Sequence, residues 1–179
     1  MISRFLPVLA FLLLGILLAV GLTISDTKTQ IPSPLIGKPV PQFVLPQLFA
    51  PEKMLTEKDL LGEPYLVNFW GSWCPTCVFE HPVITELAQS GHLKVVGINY
   101  RDEPEDAKQW LSRHGNPYHE ILVDYEGKIS INFGVYAAPE SFLISSDGEV
   151  VFKQIGALTP EIISNTILPL VNNMKSRSS

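Results

Sequence analysis

Cysteine is scarce in this chain: there are two, Cys74 and Cys77, among 179 residues. Histidine is scarce too, with four. A structural zinc site takes four ligands. Cys74, Cys77 and His81 offer C-x2-C-x3-H, but His92, His114 and His119 show no paired spacing that would complete it, so no metal is expected. Positive charge is also in short supply. Setting Arg4 aside, 12 basic residues stand against 18 acidic ones, a net of −6. An acidic domain is a poor partner for nucleic acid, and none is expected. The sequence has no internal repeat, no Gly-rich phosphate loop and no low-complexity tract beyond a short polar tail at 176–179.

Charge is missing altogether from Phe5 to Ser25. At about 1.5 Å per residue this run matches a bilayer core of about 30 Å. Arg4 on one side and Asp26 on the other favour an N-terminus in the cytoplasm and a domain outside. A cleaved signal peptide is the competing reading, but Val20-Gly21-Leu22-Thr23-Ile24-Ser25 lacks the small-residue pattern that cleavage wants. The organisation read from this is an anchor over 1–25, a spacer over 26–34 and one domain over 35–175. The spacer is polar and carries two prolines, as flexible linkers do.

What is present centres on Leu66 to Pro82. An apolar run, Leu66-Val67-Asn68-Phe69-Trp70, feeds the small-residue turn Gly71-Ser72, which delivers Trp73-Cys74-Pro75-Thr76-Cys77. Cys74 falls where a helix N-cap sits, and Pro75 suits the first helical position because its missing N–H costs nothing there. A helix N-terminus favours a negative sulfur, and only the thiolate attacks a disulfide. Cys74 is therefore the expected nucleophile, and Cys77, one turn inward and shielded, the resolving thiol. A structural disulfide and half of a zinc site are the alternatives; the preceding strand and the flanking tryptophans favour the redox dithiol.

Around it, the pattern predicts strands at Phe43–Leu45, Tyr65–Phe69, Leu93–Ile98 and His119–Val123. A hairpin of Ser141–Ile144 with Glu149–Ile155 turns at Asp147-Gly148. Prolines 39, 41 and 46 confine the first strand to an edge. Helices are expected at Thr56–Leu61, at Pro75–Gln89 with Pro82 as a kink, from Asp102, around Ile129–Phe133, and from Thr159 onward. Asp102 and Glu105 read as a capping box for the third of these. The order describes an α/β domain with a central mixed sheet flanked by helices.

Trp73-Cys74-Pro75-Thr76-Cys77, with Asn68-Phe69-Trp70 before it and Glu80-His81 after it, resembles thioredoxin-fold thiol–disulfide reductases. The closest likeness is to the membrane-anchored DsbE/CcmG family of cytochrome c maturation. Gly134-Val135-Tyr136-Ala137-Ala138-Pro139-Glu140-Ser141 is similar to that family's Gly-Val-x-Gly-x-Pro-Glu-Thr signature, departing from it at Ala137 and Ser141. The likeness runs from about Leu35 to Leu170. Neither cysteine satisfies the Pro-x-x-x-Thr-x-x-Cys pattern of a peroxiredoxin-type peroxidase.

The resemblance implies a thioredoxin-like fold, a cis Pro139 packed against the dithiol, and client contacts through Trp73, Pro75, Thr76, Ala138 and Pro139. Thioredoxin carries a buried Asp where this chain has Asn68, and a neutral amide cannot accept a proton in its place. Glu80 and Glu140 are then the candidate acids beside Cys74 and Cys77. Glu80 is expected to act mainly as a base, and Glu140, on the partner-facing loop, through its charge. The alternative for each is a solvated surface glutamate. The implied function is that of a dithiol reductant in the periplasm, held by a single span in the bacterial inner membrane. It would keep the haem-attachment cysteines of apocytochrome c, or of a maturation partner holding it, reduced. A transmembrane thiol donor would recharge it, and it would use no cofactor beyond its own disulfide. A general exported reductase or isomerase, or a non-catalytic apocytochrome or haem-delivery chaperone, are the alternatives.

Overall fold

The structure, a computed structural model, describes the backbone of residues 6–25 and 33–177, with side chains for 9–20 and 33–176. Arg4, most of the spacer and the end of the tail lie outside the described residues. The chain divides into two compact units, 1–32 and 33–179. In the first, helix α1 runs Leu6–Ser25. Among the described residues no helix is long and apolar enough to cross a membrane; the described side chains of α1 are those of 9–20.

The second unit is built on a five-stranded sheet in the order β5-β4-β3-β6-β7. Its strands are β3 (Tyr65–Trp70), β4 (Lys94–Tyr100), β5 (Glu120–Asp124), β6 (Glu140–Ile144) and β7 (Val150–Ile155). Strands β3, β4 and β5 are parallel, joined by helices α2 (Pro75–Gln89) and α3 (Pro104–His114). Strand β6 then runs antiparallel to β3, and β7 antiparallel to β6. This is the mixed sheet that the sequence predicts, because parallel strands need helical crossovers while Asp147-Gly148 closes a hairpin.

Every residue of β3 is buried, as expected of a central strand covered on both faces. One face carries Leu66 and Trp70 against Ile84 and Leu87 of α2, Trp110 and Leu111 of α3, and Ile163, Ile167 and Val171 of the C-terminal helix. The other carries Val67 and Phe69 against Phe133, Phe142, Val40, Phe43 and Leu45. Ile84 is fully buried, which contributes about 1.5–3 kcal/mol relative to exposure.

Several details differ from expectation. A strand that the sequence pattern hides, β2 (Met54–Thr56), pairs with β1 (Val44–Pro46) in a separate two-stranded sheet. The predicted helix at Thr56–Leu61 is a 3-10 turn over Glu57–Leu60. Short helix α4 (Lys128–Asn132) follows β5. The last helix is α5 (Pro160–Ile162) continuing through a π turn, Ile163–Ile167, into α6 (Leu168–Arg177). The π turn lies just ahead of Pro169, whose ring and missing N–H disturb the regular ladder there. Asp102 does not cap α3: the N-cap is Glu103, without a side-chain bond. Asp102 is committed elsewhere, as described next.

Candidate active site

The β3–α2 turn forms as its residues dictate. Gly71 has no Cβ because one there would meet the Trp73 indole at 2.5 Å. The chain turns, the Cys74 N–H donates to the Gly71 carbonyl at 3.1 Å, and Pro75 opens α2. Cys74 is the N-cap, and its sulfur accepts the Cys77 N–H at 3.1 Å. A helix amide therefore already points at the sulfur where a thiolate would stand, and this fits the geometry read from the sequence. Cys74 and Cys77 form a disulfide with Cα atoms 5.4 Å apart. Both cysteines are 2% exposed, so the expected contrast between an open Cys74 and a shielded Cys77 is absent in the oxidised protein. What lies open around them is Pro75, Thr76 and Trp73, the last 48% exposed. Trp70 is fully buried and stacks on Tyr118, a packing role.

Asp102 braces this turn. Its carboxylate accepts the Ser72 N–H and the Ser72 hydroxyl, both at 2.6 Å, and the Asn99 side-chain amide at 2.7 Å. The Trp73 indole N–H donates to the Tyr100 carbonyl at 3.3 Å, next along β4. The sequence offers no signal for this, since Ser72 and Asp102 lie 30 residues apart. In an Asp102→Ala variant the Ser72 N–H and the buried Asn99 amide lose their acceptor. Unfolding free energy should fall by about 2–6 kcal/mol, from about 1–3 for each of the two unsatisfied donors. Urea titration of the oxidised protein measures it, and a loss under about 0.5 kcal/mol would show the brace to be idle.

Both candidate glutamates are 1% exposed, so neither is a solvated surface group. They do not share one surround. Asn68 pairs with Ser141 across β3 and β6, and Phe69 with Glu140, which puts the two acids on opposite faces of the sheet. Glu80 lies on the α2 side. Its carboxylate accepts the Asn68 amide at 2.9 Å and the Leu158 N–H at 2.8 Å. Asn68 is fixed in turn by the Tyr118 hydroxyl, which donates to its carbonyl oxygen at 2.9 Å, and by the hydrogen bond its own amide N–H donates to the Ser141 hydroxyl at 3.0 Å. Gly97 makes room for this, as a Cβ there would strike the rings of Trp70 and Tyr118. Burial pushes the Glu80 pKa up to about 7, with the Leu158 and Asn68 bonds opposing it. Asn68 thus holds the Glu80 carboxylate in place.

Glu140 is not on an exposed loop: it opens β6 and forms a buried ion pair with Lys153 at 2.8 Å. The bond from Glu140 to the loop runs backwards, to the N–H groups of Tyr136 at 2.8 Å and Ala137 at 3.4 Å. The Ala138–Pro139 peptide is cis, as the resemblance implies, and Pro139 is buried. Ala138 packs against the cluster that contains both cysteines. His81 sits apart from the sulfurs' chemistry, edge-on to Trp110 with its Nε2 3.1 Å from the Gly115 carbonyl.

A model of the Redoxin family matches residues 35–167. The thiol:disulfide interchange protein DsbE of Vibrio cholerae is 40% identical over 173 residues, covering 95% of this chain and 94% of that protein. The chain belongs to the DsbE family. The DsbE of Pseudomonas aeruginosa is likewise 40% identical, over 94% of this chain and 92% of its own. Among solved structures, a Chlorobium tepidum protein described as a DsbE superposes with a TM-score of 0.64 at 25% identity, over 75% of this chain and 95% of that one. DsbF of MTB, solved in mixed oxidised and reduced forms, gives 0.63 at 25% identity, over 74% and 95%. The fold is thioredoxin-like, and the activity of this DsbE-family protein is thiol:disulfide interchange through Cys74 and Cys77.

Proposed function

We propose that this DsbE-family protein is an exported dithiol reductant of cytochrome c maturation, anchored in the inner membrane by Leu6–Ser25. Twenty residues at about 1.5 Å each match the bilayer core. The Cys74 thiolate attacks one sulfur of an oxidised Cys-x-x-Cys-His segment in apocytochrome c, or of a partner that carries it. The other client sulfur leaves as a thiolate, and a mixed disulfide forms. Cys77 then loses its proton to Glu80 and attacks Cys74 Sγ. The client's second thiolate is released, and the Cys74–Cys77 disulfide holds the oxidising equivalents. A transmembrane thiol donor reduces it again.

The observation that carries the reductant reading is Glu80, a buried acid one helical turn beyond Cys77. A negative charge there opposes the thiolate form. Strong oxidants of this class owe their potential to a stabilised reduced state. An acid that destabilises the thiolate pushes the couple the other way. Equilibration against dithiol buffers should therefore place Cys74/Cys77 near the thioredoxin value of about −270 mV. A potential near about −120 mV would assign the chain an oxidising role instead.

A further inference from the structure

We propose that Lys153, distant from the dithiol in sequence, is a positioning residue that holds the segment before Pro139 in its client-receiving shape; this rests on reading that segment as the face that meets client backbone. Lys153 lies on β7 opposite Phe142 and is 8% exposed. Its ammonium is 2.8 Å from the Glu140 carboxylate and donates to the Gly134 carbonyl at 2.8 Å. It also lies 5.2 Å from the ring centre of Tyr136 and 5.0 Å from that of Phe142. Glu140 in turn accepts the Tyr136 and Ala137 N–H groups.

One buried ion pair thus ties down three peptide groups, the carbonyl of Gly134 and the two N–H groups just ahead of Ala138. On the far side the Gly156 N–H holds the Pro139 carbonyl at 3.0 Å. Among the described residues no hydrogen bond engages the Ala138 backbone N–H or carbonyl. The segment is therefore fixed on both sides and open in the middle, which is the arrangement an added strand needs.

Stability alone does not account for the pair. Replacing a buried ion pair by apolar residues of similar volume is often neutral or stabilising. An apolar pair would fill the same space but would neither accept two N–H groups nor donate to a carbonyl. Removing only the lysine leaves a carboxylate that is 1% exposed without its counter-charge, so that water or a turned peptide must satisfy it.

The test measures single-turnover reduction of two disulfides by the pre-reduced dithiol forms of wild type, Lys153→Met and Lys153→Arg, with the half-saturating concentration taken as KM and the limiting rate as kcat. One is an oxidised peptide containing Cys-Ala-Ala-Cys-His. The other is 5,5′-dithiobis(2-nitrobenzoate), which is too small to pair with the segment. Lys153→Met should raise KM for the peptide about tenfold, equal to about 1.4 kcal/mol of binding, with kcat and the small-disulfide rate within about twofold. Lys153→Arg should recover most of the KM. An unchanged KM overturns the proposal, and so does a fall in kcat and in the small-disulfide rate as large as the rise in KM, the mark of a purely structural lysine. If Lys153→Met does not fold, the Glu140→Gln, Lys153→Met pair removes both buried charges and carries the same test: a wild-type KM there overturns it. A wild-type enzyme that shows no saturation by the peptide overturns the client-face reading itself, a result distinct from any of these.

Discussion

Replacing Cys77 with serine should turn the protein into a trap. Reduced Cys77→Ser, mixed with an oxidised Cys-x-x-Cys-His peptide, should accumulate a covalent mixed disulfide through Cys74, while multiple turnover stops. Cys74→Ser should trap at least about tenfold less. Exposure does not separate the two sulfurs, because both are buried in the disulfide. The helix does. Cys74 is the N-cap, and its sulfur receives the Cys77 N–H, so negative charge on Cys74 is met by an oriented amide and the positive end of α2. Cys77 lies inside the first turn, where its own N–H points away to Cys74. Its sulfur has the geometry to attack Cys74 Sγ within a small ring, and this is the step that the serine removes. Non-reducing electrophoresis with mass measurement reads the trapped species. Equal or greater trapping by Cys74→Ser would reverse the assigned roles.

The parts of this site that were legible in the sequence are those written locally. The strand, turn, N-cap cysteine and N1 proline occupy consecutive positions, and Cys74 caps α2 as the spacing predicts. Asp147-Gly148 likewise fixes its hairpin. Strand β2 escaped because three residues, Met54–Thr56, carry too short an alternation to read. Asp102 departs from its sequence pattern for a physical reason: Asp followed by Glu three residues later is a helix-start pattern, but the stronger demand on its carboxylate comes from Ser72 and Asn99. Glu80 and Glu140 could be named from the resemblance, yet sequence distance says nothing about faces of a sheet. Only the β3–β6 register separates them. Lys153 is the hardest case. Counting back from the Asp147-Gly148 turn without a bulge pairs Lys153 with Ser141, on the face of Asn68. The register shift between Leu143 and Ile144 pairs it with Phe142 instead, and a one-residue shift exchanges the two faces.

Glu80→Gln should separate two effects that a buried acid combines. The first is kinetic. Burial holds the Glu80 carboxyl at a pKa of about 7, near the operating pH, where a general base is most effective. Removing it should slow resolution of the mixed disulfide by about 100-fold or more, while formation of that disulfide through Cys74 continues. Formation should gain slightly near neutral pH, because a negative charge that opposes the thiolate is gone. Single-turnover kinetics with stopped-flow mixing resolve the two phases, and an unchanged second phase would remove Glu80 from the mechanism. The second effect is on stability, and its sign follows from the pKa. The folded value, about 7, lies above the ordinary glutamate value of 4.5. Glu80 therefore costs nothing below about pH 4.5, where it is protonated in both states. Its penalty grows as pH rises and levels off above about 7, reaching about 3 kcal/mol at 1.36 kcal/mol per pKa unit. Glutamine carries no such slope. It has a different, pH-independent cost, because two donors, the Asn68 amide and the Leu158 N–H, need acceptors and a glutamine supplies one oxygen. Leaving one donor facing an NH2 group costs about 1–3 kcal/mol. The variant should thus be the less stable protein at pH 4.5 and equal to or more stable than wild type above pH 7. Urea titrations of the oxidised pair at those two pH values, where no thiol titrates, test this by difference. Parallel pH profiles would show that Glu80 is not held as a buried acid, and the proton of Cys77 would then need another destination.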